Sequence, residues 1–149
     1  IKVLMVCLGN ICRSPLAEGI LQSKINANEV SVDSAGTAAY HLGKFPDKRS
    51  IEVARQYGIN ITNQRARKFT VKDFDAFNFI YAMDESNYQN ILLLARDKKD
   101  ESKVQMILNE THPHQNLNVP DPYYGGNQGF ENVYTMLNKA CEIIAYKIS

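Results

Sequence analysis

One stretch near the start of the chain limits its possible folds more than any other: Cys7-Leu8-Gly9-Asn10-Ile11-Cys12-Arg13-Ser14-Pro15. It follows Lys2–Val6, an apolar and β-branched run that is typical of a buried parallel strand. Ser14 and Pro15 are the residue types that begin helices, as N-cap and first helical residue. Gly9 and Asn10 tolerate the left-handed backbone that a tight loop needs. The stretch therefore predicts a strand, a specialised loop and a helix in direct succession.

The rest of the chain repeats this order of strand and then helix. Further strands are predicted at 29–34, 77–83 and 104–108, and the final helix carries apolar residues at helical spacing from Phe130 to Ile148. Asp47 is expected as an N-cap, the acidic Asp84-Glu85-Ser86 as the start of another helix, and Gly58 as the residue that ends a helix. The pattern predicts an α/β fold: a single three-layer domain over residues 1–149, with a four-stranded parallel sheet and helices on both faces.

Composition excludes several classes of protein. Seventeen Lys and Arg against sixteen Asp and Glu leave a net charge of +1, which argues against a nucleic-acid partner. Three cysteines are too few for a disulfide scaffold and indicate free thiols in a reducing, cytoplasmic location. No apolar run approaches the roughly 20 residues that cross a bilayer, and no signal peptide is expected. The expectation is a cytoplasmic monomer without a membrane partner.

In parallel sheets, ligands bind beyond the carboxyl ends of the strands, where the first loop lies. The backbone N–H groups of this loop can converge on one centre, and the helix N-terminus adds partial positive charge. Arg13 adds a planar fork that matches two phosphate oxygens. This field favours a thiolate at Cys7, which would lie beneath a phosphorus atom as a nucleophile. We therefore predict a phosphate-binding loop after the first strand, formed by Leu8, Gly9, Asn10, Ile11, Cys12, Arg13 and Ser14.

Phosphoryl transfer also needs an acid that protonates the leaving oxygen. Asp121 is the best candidate, because a proline on each side restrains its backbone. Tyr123 and Tyr124 follow the second of these prolines and could form a wall against an aryl group. The alternative for this segment is a proline-rich turn in which the Asp side chain binds the backbone.

The chain resembles the low-molecular-weight protein tyrosine phosphatases. The motifs that carry the resemblance are the loop of residues 7–15, Asp33-Ser34-Ala35-Gly36-Thr37, Ala82-Met83-Asp84-Glu85-Ser86-Asn87 and Asp121-Pro122-Tyr123-Tyr124. The resemblance implies that Cys7 becomes a phosphocysteine, that Arg13 stabilises the transition state, and that Asp121 is the general acid and later the base. It also implies that Ser14 hydrogen-bonds the Cys7 sulfur and that Asn10 holds the loop through Ser34.

The same resemblance implies phosphotyrosine-containing proteins as partners, inorganic phosphate and other oxyanions as inhibitors, and no cofactor or metal. Tyr40, with Tyr123 and Tyr124, is expected to form a deep slot that suits phosphotyrosine. Cys7 and Cys12 are close in sequence and suggest a reversible redox pair. Cys141 lies on the apolar stripe of the last helix and is expected in the core.

Three other functions remain possible. An arsenate reductase of this fold would need further redox cysteines in the later half, where only Cys141 occurs. A phosphoarginine phosphatase typically has Thr where this chain has Ile11. A non-catalytic phosphotyrosine-binding module would be expected to lack Cys7, Arg13 or Asp121.

Two charged features have both ordinary and functional interpretations. His112 and His114 have weak metal-ligand spacing, and with His41 they are scattered over two loops. The segment 41–72 has eight Lys and Arg against two acids. It is either an ordinary solvated face or a basic rim that steers acidic, phosphorylated partners.

Overall fold

The computed structural model describes residues 1–123 and 127–149, with only the backbone of Asn127. Its strands are β1 (Lys2–Cys7), β2 (Ser31–Gly36), β3 (Phe79–Ala82) and β4 (Val104–Met106). Its helices are α1 (Arg13–Lys24), α2 (Lys48–Gln56), α3 (Lys72–Ala76), α4 (Glu85–Leu92), α5 (Lys98–Ser102) and α6 (Asn127–Ile148). A single 3-10 turn, Ile107–Asn109, follows β4. These elements confirm the α/β fold.

All four strands pair in parallel, in the order β2-β1-β3-β4. The chain leaves β1 toward one side of the sheet for β2 and then returns to the other side of β1 for β3. This reversal creates a crevice at the carboxyl ends of β1 and β3, which is where ligands bind in open parallel sheets. Cys7 is the last residue of β1 and lies at this crevice.

Side chains alternate along β1 between two separate cores. Val3, Met5 and Cys7 pack with buried residues of α1, α2 and α6. Leu4 and Val6 pack on the opposite face, with Phe69, Phe74, Phe77, Ile80 and Ile91 among others. Because successive strand residues point to opposite faces, one apolar strand can serve both cores. The three-layer arrangement with helices on both faces is confirmed.

Several predicted boundaries shift. β2 begins at Ser31 and extends to Gly36, so its start was predicted too early. β4 is shorter than predicted, because residues 107–109 turn into a 3-10 helix. Short helices such as α3 and α5 carry too few residues to show a helical period in the sequence.

The predicted N-cap at Ser14 is wrong. α1 begins at Arg13, its N-cap is Cys12, and no side chain caps it. Ser14 lies inside the first turn, where its hydroxyl is used by the loop instead. The other termini follow the prediction: the carboxylates of Asp47 and Asp84 accept from backbone N–H groups, and Gly58 has a φ of 76°.

α6 is the longest helix and packs on α1. It begins at Asn127, three residues before the predicted first apolar position, Phe130. Cys141 is fully buried within it, so the predicted core position is confirmed. None of the helices in the described parts of the chain is long and apolar enough to cross a membrane.

Candidate active site

The loop after β1 is held in shape by Asn10. Its backbone has a φ of 58°, in the left-handed region that Asn tolerates better than most residues. Its buried amide accepts a hydrogen bond from the backbone N–H of Arg67 at 3.0 Å. The same amide donates to the hydroxyl oxygens of Ser14 at 2.8 Å and Ser34 at 2.9 Å. The loop, α1 and β2 are therefore tied together by one side chain.

These bonds decide where the Ser14 hydroxyl proton points. The Ser14 oxygen accepts from Asn10, so its own hydrogen is available to Cys7, whose sulfur lies 3.0 Å away. A hydroxyl that donates to sulfur can stabilise negative charge that develops on the sulfur atom. Cys7 and Ser14 are both buried, and hydrogen bonds are stronger in such surroundings of low dielectric constant.

The network continues to Glu18 on α1. The Ser34 hydroxyl donates to the Glu18 carboxylate at 2.6 Å. Burial raises the pKa of Glu18 from its ordinary value to about 7, although Ser34 and Arg67 favour the charged form. Glu18 carries no local signal in the sequence, because only the fold brings its carboxylate to Ser34.

Gly36 lets β2 pass close to the loop. A Cβ there would lie 2.7 Å from the Leu8 carbonyl oxygen, 3.1 Å from that of Ala38 and 3.2 Å from the Asn10 nitrogen. All three are backbone atoms, so no side-chain rotation could relieve the contact. This position accepts only glycine without distortion of the loop.

Arg13 is buried, and residues of two chain segments surround its guanidinium. Nη1 donates to the Asp84 carboxylate at 2.7 Å and to the Val119 carbonyl at 3.0 Å. Nη2 lies 3.7 Å from the Asp121 carboxylate. Burial opposes its charge, but Cys7, Asp84 and Asp121 outweigh burial and raise its pKa. The fork is therefore fixed in direction and permanently charged.

Asp84 has a second role that the sequence analysis missed. One carboxylate oxygen caps α4 by accepting from Asn87 N–H at 2.8 Å, and the other binds Arg13. The start of a helix at Asp84 was visible in the sequence. The ion pair joins residues 71 positions apart and became visible only in the structure.

Asp121 lies at the mouth of the crevice on a loop anchored to β3. The backbone N–H of Val119 donates to the Met83 carbonyl at 2.8 Å, and Val119 is fully buried. The Asp121 carboxylate accepts from Tyr123 N–H at 3.0 Å, so the side-chain-to-backbone turn considered from the sequence is present. Its other oxygen faces Arg13, and its side chain is 39% exposed. Asp121 therefore forms this turn and lines the cavity at the same time.

A cavity of about 300 Å³ lies over the loop. Its lining brings together Cys7, Leu8, Gly9, Ile11, Cys12, Arg13, Tyr40, His41, Asp121 and Tyr123. Asn10, Ser14 and Ser34 lie behind it as the supporting network. Tyr40 is 71% and Tyr123 is 38% exposed, so these two rings border an open mouth. Tyr124, the third predicted wall residue, lies outside the described residues.

Two neighbours of the cavity were missed from the sequence. His41 lies against Gly9, where a Cβ would come within 2.9 Å of its ring, and its ring centroid is 6.5 Å from those of Tyr40 and Tyr123. Arg49 of α2 donates to the Tyr123 carbonyl at 3.0 Å and to the Asp47 carboxylate. Neither residue belongs to a local sequence motif of the site. His41 meets Gly9 and Tyr123, and Arg49 meets Tyr123, only because the fold brings these loops together.

All three cysteines are free thiols. Burial, with Asp47 and Cys7 as further causes, raises the pKa of Cys12, so this thiol is protonated at neutral pH. Burial also raises the pKa of Cys141 to about 12. Cys7 is therefore the cysteine that combines a hydroxyl donor with a place in the cavity.

The two histidines with weak metal-ligand spacing, His112 and His114, do not line this cavity. Within residues 1–123 and 127–149, no three His, Cys, Asp or Glu residues are arranged to hold a metal ion.

Comparison with known proteins gives a consistent result. Residues 2–149 match the family model described as low molecular weight phosphotyrosine protein phosphatase. The chain is 45% identical to a putative low molecular weight protein-tyrosine-phosphatase from Synechocystis, over 94% of this chain and 91% of that protein.

Solved structures agree with this match. A protein tyrosine phosphatase from Entamoeba histolytica has a TM-score of 0.91 at 36% identity, covering 99% of this chain and 96% of that one. A Drosophila arginine phosphatase has a TM-score of 0.90 at 32% identity, covering 99% and 97%.

Proposed function

The chain belongs to the low molecular weight phosphotyrosine protein phosphatase family and is a phosphotyrosine protein phosphatase, and we propose that it acts through a phosphocysteine formed on Cys7. Its substrates are phosphoproteins. The proposed mechanism depends on one observation: Cys7, Arg13 and Asp121 line the same cavity at the carboxyl end of β1.

In the first step, the Cys7 thiolate attacks phosphorus in line with the tyrosine oxygen. The new S–P bond forms as the P–O bond breaks, and the Asp121 carboxyl gives its proton to the leaving phenolate. Arg13 and the loop N–H groups bind the equatorial oxygens, where charge is spread in the transition state. The fixed direction of the Arg13 fork supports this role.

In the second step, a water molecule attacks the phosphocysteine. Asp121, now a carboxylate, accepts the water proton as the new O–P bond forms and the S–P bond breaks. The Ser14 hydroxyl donates to the departing Cys7 sulfur, which makes the thiolate a better leaving group. Inorganic phosphate and the free thiolate result.

The mouth of the cavity selects for an aryl group. Tyr40 and Tyr123 border it, and the apolar side chain of Ile11 lines its wall. Ring faces and an aliphatic wall suit the phenyl ring of phosphotyrosine, which also reaches further into a cavity than phosphoserine. The apolar Ile11 disfavours the guanidinium of phosphoarginine, whose polar N–H groups would lose hydrogen bonds there.

An arsenate reductase mechanism lacks support in this chain. It would need a cysteine that carries a disulfide outward from the cavity, and the one cysteine of the later half, Cys141, is fully buried in α6.

Cys12 is proposed as a redox partner that protects Cys7 from irreversible oxidation. Oxidation of the Cys7 thiolate by peroxide gives a sulfenic acid, and attack by the Cys12 sulfur would release water and leave a disulfide that thiols reduce. After peroxide treatment and added thiol, Cys12→Ser is expected to recover less activity than the parent. Full recovery of that variant would remove the support for this pairing.

The first test of the mechanism is hydrolysis of p-nitrophenyl phosphate without a divalent ion. We expect turnover in the parent and none in Cys7→Ser, which loses the nucleophile. Activity that persists in Cys7→Ser, or that disappears with a chelator, contradicts the mechanism. A parent that binds phosphotyrosine without turnover would be a binding module instead.

Asp121→Ala tests the general acid. With a phosphotyrosine peptide, kcat should fall by about 10²- to 10⁴-fold while phosphate affinity stays near that of the parent. With p-nitrophenyl phosphate, whose leaving group needs less protonation, the loss should be smaller. Equal losses with both substrates would show that Asp121 does not protonate the leaving group.

A further inference from the structure

The loop between β2 and α2 is joined to the rim of the cavity at both of its ends. The backbone N–H of Thr37 donates to the Cys7 carbonyl at 2.9 Å. Ten residues later, the N–H of Asp47 donates to the Ile11 carbonyl at 2.8 Å. Residues 38–46 therefore form a fixed border of the active site.

This border exposes three large apolar side chains. Tyr40, Leu42 and Phe45 are 71%, 58% and 57% exposed. Tyr40 lines the cavity, whereas Leu42 and Phe45 lie beyond its lining. Several large exposed apolar side chains on a segment that borders a binding site are typical of a surface that contacts a partner.

A second segment supports the border from its outer side. Gly43 N–H donates to the Ala66 carbonyl at 2.8 Å, and Ala66 N–H donates to the Lys44 carbonyl at 2.9 Å. This pairing brings Arg65 to Phe45, with the guanidinium carbon 3.7 Å from the ring centroid. At this distance the cation is attracted to the face of the ring.

The Arg65 guanidinium is held in place but keeps donors available. Its Nη1 donates to the carbonyls of Thr62 at 2.8 Å and Gln64 at 2.7 Å. Within residues 1–123 and 127–149, Nε and Nη2 have no hydrogen-bond partner and no carboxylate lies within ion-pair distance. Arg67, two residues later, is instead neutralised by Asp33 and Asp73. Arg65 is thus a prearranged cation that lacks an acidic partner in these parts of the chain.

We propose that Leu42, Phe45 and Arg65 form a shelf that binds the polypeptide next to the phosphotyrosine. An apolar side chain of the substrate lies on Leu42 and Phe45, and an Asp or Glu of the substrate pairs with Arg65. The proposal rests on the proposed function, because the shelf adjoins the cavity that holds the phosphotyrosine. The shelf favours substrates that carry acidic and apolar residues near that phosphotyrosine.

The experiment compares phosphotyrosine peptides that differ only in their flanking residues. One peptide carries Glu at the positions on either side of phosphotyrosine, and its partner carries Gln there. For the parent protein, kcat/KM should be about two- to fivefold higher with the Glu peptide, the size expected for a partly exposed ion pair. This preference should shrink as NaCl is raised, because salt screens exposed charges.

Arg65→Glu should abolish or reverse the preference for Glu and leave kcat/KM for p-nitrophenyl phosphate within about twofold of the parent. Lys98→Glu is the matched control, because it makes the same change of net charge on an exposed residue of α5. It should keep the parent's preference. Phe45→Ser tests the apolar part with a second pair of peptides, Leu against Ser at the flanking positions, and should lose the preference for Leu.

Three outcomes overturn the shelf: equal kcat/KM of the parent for Glu and Gln peptides, an unchanged preference in Arg65→Glu, or the same loss in Lys98→Glu. Absence of p-nitrophenyl phosphate hydrolysis would instead contradict the proposed function. In that case, the affinities of Cys7→Ser for the same peptides, with and without Arg65→Glu, decide whether the shelf exists.

Discussion

Glu18 shows how strongly the surroundings of one residue change its chemistry. Its carboxylate accepts from Ser34, which in turn is linked through Asn10 to Ser14 and Cys7. Glu18 therefore accepts at one end of this network, although it lies outside the cavity lining.

The raised pKa of Glu18, about 7, makes the stability of the protein depend on pH. Between its ordinary pKa and this value, the folded state keeps the proton that the unfolded state releases, so the free energy of unfolding falls as pH rises. Glu18→Gln keeps the acceptor oxygen without the charge. Compared with the parent, it should gain about 1–3 kcal/mol of stability at pH 8 and almost none at pH 4.5.

Urea denaturation at the two pH values measures this difference. Glu101→Gln serves as the control, since it makes the same chemical change at an exposed residue of α5. A gain for Glu18→Gln that is the same at pH 4.5 and pH 8 would contradict the raised pKa.

At the scale of elements, the site depends on how closely β2 approaches the loop after β1. Gly36→Ala would place a methyl group against three backbone atoms of residues 8, 10 and 38. We expect a loss of about 1–3 kcal/mol of stability from overpacking. Displacement of the loop should also lower kcat/KM about 10- to 100-fold, because reacting groups tolerate little misplacement.

Gly129→Ala is the matched control for this substitution. Its Cβ would meet Pro122 at an ordinary 3.6 Å, and alanine favours the helix of α6. Thermal denaturation and p-nitrophenyl phosphate kinetics of both variants make the comparison. Equal behaviour of the two variants would show that the approach of β2 does not shape the loop.

Contacts between elements also explain why some local sequence patterns gave a wrong or incomplete prediction. Serine is a residue type that favours the N-cap position. In the structure, however, the Ser14 hydroxyl hydrogen-bonds with Cys7 and Asn10, and α1 begins at Arg13, one residue before Ser14. Asp84 does cap α4, but the same carboxylate also orients Arg13. Tertiary contacts decided both cases, since local propensity is a weak preference that such contacts readily override.

For the whole molecule, binding of an oxyanion should couple the active site to global stability. A ligand that binds only the folded state stabilises it by about 2.7 kcal/mol when its concentration is 100 times Kd. For a chain of this length, inorganic phosphate at that excess should raise Tm by about 5–10 °C. Phosphate should also inhibit the hydrolysis of p-nitrophenyl phosphate competitively.

Arg13→Lys tests whether the planar fork is responsible, because lysine keeps the charge but not the two-point geometry. The variant should show a clearly smaller rise in Tm at the same phosphate concentration. Arg55→Lys, an exposed partner of Glu52, should behave like the parent, and chloride at equal ionic strength gives the baseline. Equal shifts for Arg13→Lys and the parent would contradict the role of Arg13 in phosphate binding.

The expected monomeric state is a separate prediction that gel filtration with light scattering can test.

The sequence by itself determined the alternating order of strands and helices, the two-sided burial of β1 and the position of the loop from Cys7 to Arg13. These features were readable because their chemistry is contiguous: apolar periodicity, turn residues and a nucleophile with its arginine lie within single segments. Asp121 was also readable, because two prolines mark its loop.

Only the tertiary structure decided which groups complete the site. Arg13 meets Asp84 and Val119 from 71 and 106 positions away, and Asn10 meets Arg67 from 57 positions away. The same is true of Glu18 behind Ser34 and of Arg65 on Phe45. Such contacts carry no local pattern in the chain, since they arise when the sheet order brings separate loops to one edge and packing fixes the directions of their side chains.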